Sequence, residues 1–439
     1  MSNKVSNWSN YPTVDRPLIN WKGKVNERIN GPWIPRGLGR CYGDASLGEN
    51  IISTLKHNLF LDFNREKGIL TCQSGVSLSE VLELIVPEGW FLPVTPGTKY
   101  ITVGGALASD VHGKNHHVEG CFGDHVFSCN LITADGRLIE CSPQDTPDLF
   151  NATRGGMGLT GMIDSVTFKL KKIKTSFINQ THIKAKNLEE IIDLFEEHKS
   201  STYSMAWIDC LKGGKGFGRS IFMMGEHAAF EELNKQQKRK SLIPHKEKSL
   251  IMPLYLPGFV LNKYSIKAFN WFYYHKNLKD HIENVVHYDG FFYPLDSIKH
   301  WNRMYGKRGF VQYQFVLPIS NGKEGLMDIL QRIRTKGWGS FLAVLKLFGK
   351  QDSLISFPME GYTLALDFPV RKGLFEFLDE LDQMVLGYGG RIYLSKDARM
   401  KSEMFWKGYP HSKEFYSIVK KYNGENTISS FLSNRLEIN

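Results

Sequence analysis

The densest chemistry in the chain sits in PRGLGRCYGD, residues 35–44. Three glycines (Gly37, Gly39, Gly43) fall there within seven residues, beside Arg36 and Arg40. Glycine admits positive φ and lets a backbone press against a ligand, and successive N–H groups in such turns form concavities for anions. Two more glycine clusters follow, PGTKYITVGGALASDVHGKN over 96–115 and RGGMGLTG over 154–161. Any one of them reads as an ordinary tight turn. Three together, with Arg36, Arg40 and Lys99 nearby, point to one long anionic ligand lying across all of them.

Neither glycine pattern is the dinucleotide fingerprint of a Rossmann domain. GLGRCYG is spaced GxGxxxG, follows Pro35-Arg36 rather than a strand, and precedes no amphipathic helix. Residues 156–161, GMGLTG, match GxGxxG but lead into a strand, which leaves no helix N-terminus for a pyrophosphate. In DVHGKNHH, His112 and His116 are at i, i+4, yet Gly113 and Asn115 make a poor helix and no HExxH glutamate is present, so no metal is expected. The histidines read as polar wall of a substrate site or as hydrogen-bonded loop residues.

These loops need elements to hold them. Residues 31–172 are glycine- and strand-rich: GILTCQSGVS is strand-like, SLSEVLELIVPEG predicts a short helix capped by Ser77 or Ser79 with Val81, Leu82, Leu84 and Ile85 on its apolar face, and DSVTFKLKKI predicts a half-exposed strand. A second pattern starts near 180, with the amphipathic helix NLEEIIDLFEEHK and the strand RSIFMMGE. It resumes with GFVQYQFVLP, the helix GKEGLMDILQRIRTKG, the strands FLAVLKLFG and YTLALDFPV, and the helix GLFEFLDELDQMVLGYGG. That alternation predicts an α+β region, an antiparallel sheet covered by helices. Residues 1–30 read as an irregular lead-in.

Bulk properties set the frame. A chain of 439 residues exceeds one ordinary core and implies two or three domains. The net charge of +10 favours anionic partners, and it is concentrated: residues 234–250 carry six Lys/Arg against one Glu and run into LIMPLYLPGFVL. Because that charge lies beside Leu, Ile, Met and Pro rather than on an aromatic platform, no nucleic-acid partner is expected. No apolar run reaches the ~18 residues of a membrane span, and the N-terminus lacks the apolar core of a secretory signal. Six cysteines without CxxC or metal spacing read as reduced thiols, which places the protein in the cytoplasm.

The loop motifs, with LFNATRGGMGLTGMI, QYQF and GGRIYLSKD, resemble the vanillyl-alcohol-oxidase-type (PCMH-type) FAD oxidoreductases. Within that group they are most similar to the branch that oxidises polyprenylphosphoryl ribose in arabinan biosynthesis. The resemblance runs from about residue 31 to 410 and implies an FAD domain over 1–175, a substrate domain over 176–390 with a mobile basic loop at 234–267, and a C-terminal return to the FAD domain over 391–439. It implies that Pro35, Arg36, Gly37, Leu38, Gly39, Arg40, Cys41, Tyr42, Gly43, Asp44 and Ala45 wrap the cofactor pyrophosphate. Gly97, Thr102, Val103, Gly104, Gly105, Ser109, Asp110, Val111, His112 and Ile163 would line the rest, with Tyr393 approaching from the second domain. Many relatives carry a histidine at Tyr42 and bond it to the flavin; a phenol does not form that link, so FAD is expected to be non-covalent.

The resemblance also implies a substrate side. His112 and Lys114 flank the flavin. Gln312 and Gln314, two apart on a strand, point the same way, as do Lys346 and Phe348. Lys396 corresponds to the lysine at the substrate hydroxyl, and Tyr42 and His112 join it as catalytic candidates. Thr363 and Ala365 stand where this branch often has asparagine and cysteine, so the pocket wall differs. The implied reaction is oxidation of the 2′-hydroxyl of a polyprenylphosphoryl-β-D-ribose to a ketone by hydride transfer to FAD. Implied partners are the lipid-linked sugar phosphate, a short-chain NADH-dependent reductase that completes a 2′-epimerisation, and a membrane touched peripherally. The competing reading is a soluble sugar or alditol oxidase using oxygen, which the basic-apolar segment 234–267 disfavours.

Overall fold

The structure, a computed structural model, describes residues 4–21, 23, 29–244, 249–276 and 279–438. Its N-terminal part is built on two main sheets, with two-stranded pairs at Lys4–Ser6/Thr13–Asp15 and Trp90–Phe91/Lys171–Lys172. Strands β1 (Leu18–Asn20), β2 (Trp33–Arg36) and β3 (Asn50–Ser53) form a parallel sheet in the order β1-β3-β2. So the first glycine loop does follow a strand, contrary to expectation. Pro35 is tolerated because β2 is an edge strand hydrogen-bonded to β3 alone within the sheet. No helix follows the loop, which runs on as bends and turns to the next strand.

The second sheet is antiparallel: β4 (Phe60–Asn64), β5 (Ile69–Gln73), β6 (Val126–Ile132), β7 (Leu138–Cys141) and β8 (Met162–Lys169), in the order β7-β6-β8-β5-β4. Strand β8 is central rather than half-exposed, and five of its eight residues are buried because β6 and β5 flank it. Helix α1 (Leu78–Ile85) starts at Ser77, whose side chain accepts from the Glu80 N–H while Glu80 reaches back, and it buries Leu78, Val81, Leu82 and Ile85. Leu78, not Leu84, completes the apolar face.

The second part is one antiparallel sheet of eight strands: β9 (Phe177–Ala185), β10 (Tyr203–Ile208), β11 (Ser220–His227), β12 (His281–His287), β13 (Phe310–Pro318), β14 (Ala343–Phe348), β15 (Gly361–Pro369) and β16 (Arg391–Ile392). Their order is β12-β9-β11-β10-β14-β15-β13-β16. Helices α3 (Leu188–Glu197), α5 (Ile319–Lys336) and α6 (Leu374–Gly387) bury Ile191, Phe195, Leu326, Ile329, Leu378 and Leu381 in the same core as Phe315, Leu345 and Leu364 of the sheet. Helix α2 (Val103–Ala108) belongs to the first part. The sheet begins at Phe177 and takes its last strand from Arg391–Ile392. Beyond β16, Ser429 N donates to Trp33 O at 2.9 Å, and Arg435 clamps Asp44 with bonds of 2.8 and 3.0 Å.

Segment 234–267, expected as a mobile loop, is described except for residues 245–248 and carries structure of its own. Asn234 caps a short helix, Leu250–Ile251 pairs in parallel with Ile298–Lys299, and helix α4 (Lys263–His275) begins inside it. No described helix is long and apolar enough to cross a membrane.

Candidate active site

The two parts enclose a cavity of about 1250 Å³. Its first wall is the loop after β2. Pro35, Arg36, Gly37, Leu38, Gly39, Arg40, Cys41, Tyr42 and Ala45 line it. Gly39 has φ +61°, and a β-carbon on Gly37 would lie 2.2 Å from Thr102 Oγ1, so the first two glycine loops touch where only glycine fits. Gly43 and Asp44 face away. A β-carbon on Gly43 would sit 1.6 Å from Asp397 O, and Asp44 is held by Arg435. They press the loop onto the segment that carries Lys396, and Tyr42 N donates to Ser395 O at 2.9 Å.

The second loop supplies Gly97, Thr102, Gly104, Gly105, Ser109, Val111, His112 and Lys114. Thr102 caps α2 by accepting from Gly105 N at 3.2 Å. Val103 is buried in the core behind it, and Asp110 turns inward to accept from Gly123 N (2.9 Å) and Arg154 Nε (2.7 Å). The third loop contributes Met157, Gly158 and Ile163, and Tyr393 closes the wall with its hydroxyl on Ser109 O at 3.1 Å. The expected phosphate cations are redistributed. Arg36 is tied to Asn7 and Ser6 O, Arg40 stacks on Trp8 at 4.0 Å, and Lys99 turns away to pair with Asp289 at 2.8 Å. The lead-in is therefore part of the site: Asn7 Nδ2 donates to Gly43 O at 2.7 Å.

The remaining wall comes from the large sheet. Gln312 and Gln314 on β13, Lys346 on β14, and Thr363 and Ala365 on β15 line the cavity, with Lys396 beyond β16. Cross-strand pairing sets Gln312 against Asp367 and Gln314 against Ala365. Phe348 stands behind, its ring 4.8 Å from His112 and 4.6 Å from His116. His116 is used structurally, bonded to Gln351 at 3.0 Å. Burial pulls Lys114 and Lys396 down to about 7 and Lys346 to about 8; Lys346 pushes both of the others down further, whereas Asp367 holds Lys396 up. Burial raises the Tyr42 phenol well above its usual range, so it stays protonated and serves as a donor.

The proton on His112 can be placed. The Thr363 hydroxyl donates to Phe315 O at 2.7 Å, so it can only accept from Gln314 Nε2, 3.3 Å away. That turns the Gln314 amide nitrogen to His112 Nε2 at 3.2 Å, which must accept. Nδ1 then carries the hydrogen, is buried, and has no partner among the described residues. Burial, then Lys346, holds the ring well below its ordinary value, so it is neutral at pH 7.

Orphaned polar atoms and open glycines are what a buried, polar, extended cofactor requires. Among the described residues, His112 Nδ1 and Ser74 Oγ have no partner although both residues line the cavity, and a β-carbon on Gly97 would meet nothing within 4 Å. The glycine-loop half thus suits a dinucleotide, and the lysine–glutamine half suits its substrate. Residues 24–142 match the family described as FAD binding domain. A decaprenylphosphoryl-beta-D-ribose oxidase of Mycolicibacterium smegmatis is 35% identical over 92% of this chain and 89% of its own. Mouse L-gulonolactone oxidase is 29% identical over 35% of this chain and 34% of its own. The solved structure of Physcomitrella patens BBE-like 1 superposes with a TM-score of 0.64 at 14% identity, covering 92% of this chain and 86% of that one. The chain belongs to the vanillyl-alcohol-oxidase-type (PCMH-type) FAD oxidoreductases, and within them it is similar to the decaprenylphosphoryl-ribose oxidase. Its cofactor is FAD.

Sequence reasoning missed part of the site. Trp8, Trp207, Phe269, Tyr273 and Met304 form an apolar wall, and Asp296 and Lys276 add charge. Asp367 stands one strand position behind the cavity, next to Lys396 and Gln312. A carboxylate in the apolar strand YTLALDFPV was the available signal.

Proposed function

We propose that the protein oxidises a secondary hydroxyl of a lipid-linked sugar phosphate to the ketone, namely the 2′-hydroxyl of a polyprenylphosphoryl-β-D-ribose. The observation that carries this reading is the wall of Lys114 and Lys346, which form no ion pair among the described residues, and Lys396, balanced by the single carboxylate of Asp367 behind it, set beside Gln312 and Gln314 in the cavity that the glycine loops enclose. Buried cations without counter-ions are costly, and an anionic ligand relieves that cost. Bound FAD would supply the hydride acceptor for the carbinol carbon. Lys396, neutral above about pH 7, accepts the hydroxyl proton. Gln312 and Gln314 orient the sugar, Thr363 and Ala365 shape its pocket, and Lys114 and Lys346 hold the phosphate. Tyr42 donates to an oxygen at the reacting end, and His112 offers its Nδ1–H to the cofactor half.

A ketone can be reduced from either face, so a short-chain NADH-dependent reductase would complete a 2′-epimerisation. Peripheral membrane contact follows from a lipid-borne substrate. The test is anaerobic bleaching of the bound flavin by a polyprenylphosphoryl-ribose and by free pentoses and alditols. Bleaching by the lipid-linked sugar alone is expected; equal or faster bleaching by free sugars would overturn the reading.

A further inference from the structure

Strand β15 puts Thr363, Ala365 and Asp367 on one face, two residues apart. The first two line the cavity and the third lies just behind it, 1% exposed. Asp367 faces Gln312 across the β13–β15 ladder. Its Oδ1 accepts from Gln312 Nε2 at 2.7 Å, and its Oδ2 accepts from the Tyr305 hydroxyl at 2.9 Å. Its own N–H donates to Ser340 Oγ at 3.0 Å. Tyr305 is fixed in turn, its ring stacked on Phe310 at 4.1 Å.

An ionised carboxylate only accepts, so it dictates how Gln312 sits. The amide nitrogen must turn to Asp367, which sends the amide oxygen the other way, toward a ligand hydroxyl. The Gln312 side chain also meets the Tyr42 hydroxyl. The charged and titratable groups around this point are Lys396, Lys346, His112, Tyr42, Tyr305 and Cys41, with Arg40 and Asp296 beyond Tyr42. Asp367 is the carboxylate that acts on Lys396.

We infer that Asp367 is a positioning residue: through its cross-strand hydrogen bond it fixes Gln312 with the amide oxygen toward the substrate, and it is the buried counter-charge of Lys396. Two consequences follow. Burial raises the Asp367 carboxyl to about 6, so below that pH it protonates and can no longer accept from both donors. Asp367 also holds up the proton affinity of Lys396, so removing the negative charge lets that lysine lose its proton at a lower pH.

The inference uses the reading of Lys396 as proton acceptor, but it is tested without any substrate. Acetic anhydride labels only the neutral amine, so the pH dependence of Lys396 acetylation in the FAD-loaded protein, read by peptide mass, reports its proton affinity. In wild type the midpoint should lie near 7. Asp367→Asn keeps the volume, and its midpoint should fall by at least about half a unit, since one pH unit is a tenfold change in the neutral-to-charged ratio. With any sugar that bleaches wild type, the same variant should reach half-maximal bleaching at a lower pH and bleach at least about tenfold more slowly at its plateau. Asp367→Glu should restore the midpoint and not the rate. If Asp367→Asn fails to fold, Tyr305→Phe serves: losing that donor raises the carboxyl, so its charge beside Lys396 is lost at a higher pH and the Lys396 labelling midpoint should fall. An unmoved Lys396 midpoint in Asp367→Asn, or in Tyr305→Phe where the first does not fold, would overturn the inference. Failure of every lipid-linked sugar to bleach wild type would overturn the functional reading and leave the labelling result standing.

Discussion

The Lys396 ammonium lies over the Tyr42 ring, 3.7 Å from its centre. Two glycine positions make that approach possible: Gly43 admits the backbone at Asp397, and Gly39 bends the loop at positive φ. If Lys396 takes the hydroxyl proton, Lys396→Ala should keep FAD and fold yet lose sugar oxidation by about 10²–10⁴-fold, the usual cost of a positioned proton-transfer group. Wild-type bleaching should rise with pH through about 7, because the depressed lysine must be neutral to accept. Stopped-flow bleaching at matched FAD occupancy checks both. A variant within about threefold of wild type, only ~0.6 kcal/mol of barrier, would remove Lys396 from the chemistry.

Tyr42 predicts the fate of the cofactor on denaturation. Its phenol is fully protonated at neutral pH and stands where many relatives carry the linking histidine. Acid or heat precipitation should therefore leave the flavin in the supernatant. A yellow pellet, or a flavin mass on the peptide containing Tyr42, would contradict it.

Much of this was legible because glycine spacing is local. The three loops, the alternation of β13 and β15, and the capping box of α1 are all written in short windows. Packing is not. Arg36 and Arg40 line the cavity, but sequence cannot show that Asn7 and Trp8 also hold them, or that Asp289 takes Lys99 away from it. Asp44 and Asp110 sit inside motifs that line the cavity yet turn back to Arg435 and Arg154, partners 391 and 44 residues away. The central position of β8 depended on which strands would flank it, a long-range choice that periodicity does not carry.

Ala365 predicts resistance to thiol trapping. The residue lines the cavity opposite Gln314, where similar oxidases often have cysteine. Electrophiles that label such a cysteine should leave residues 360–370 unmodified by intact and peptide mass, while Ala365→Cys should acquire the adduct. The cavity does contain Cys41, but burial raises that thiol, which leaves little of the reactive thiolate. An adduct on wild-type 360–370 would contradict the strand register.

If the protein touches a membrane, the contact should extend beyond the basic segment 234–267. Leu254, Phe259, Tyr264, Trp271 and Phe272 each leave more than half their surface in solvent, and exposed Lys263, Lys267 and Lys276 lie among them. Val260, Leu261, Phe269 and Lys276 of the same stretch line the cavity, so a bilayer touching this face would meet its mouth. Aromatic rings and lysines together suit the interface of an anionic leaflet, where each basic residue is worth roughly 1 kcal/mol. Trp271→Glu with Phe272→Glu should cut co-sedimentation with phosphatidylglycerol vesicles by at least about tenfold and slow turnover of a long-chain lipid substrate. FAD content, and turnover of a short-chain analogue, should stay unchanged. Binding should also weaken as salt rises from about 0.05 to 0.5 M, because the lysine contribution is screened. Vesicle binding that survives both the double variant and high salt would place the membrane contact elsewhere.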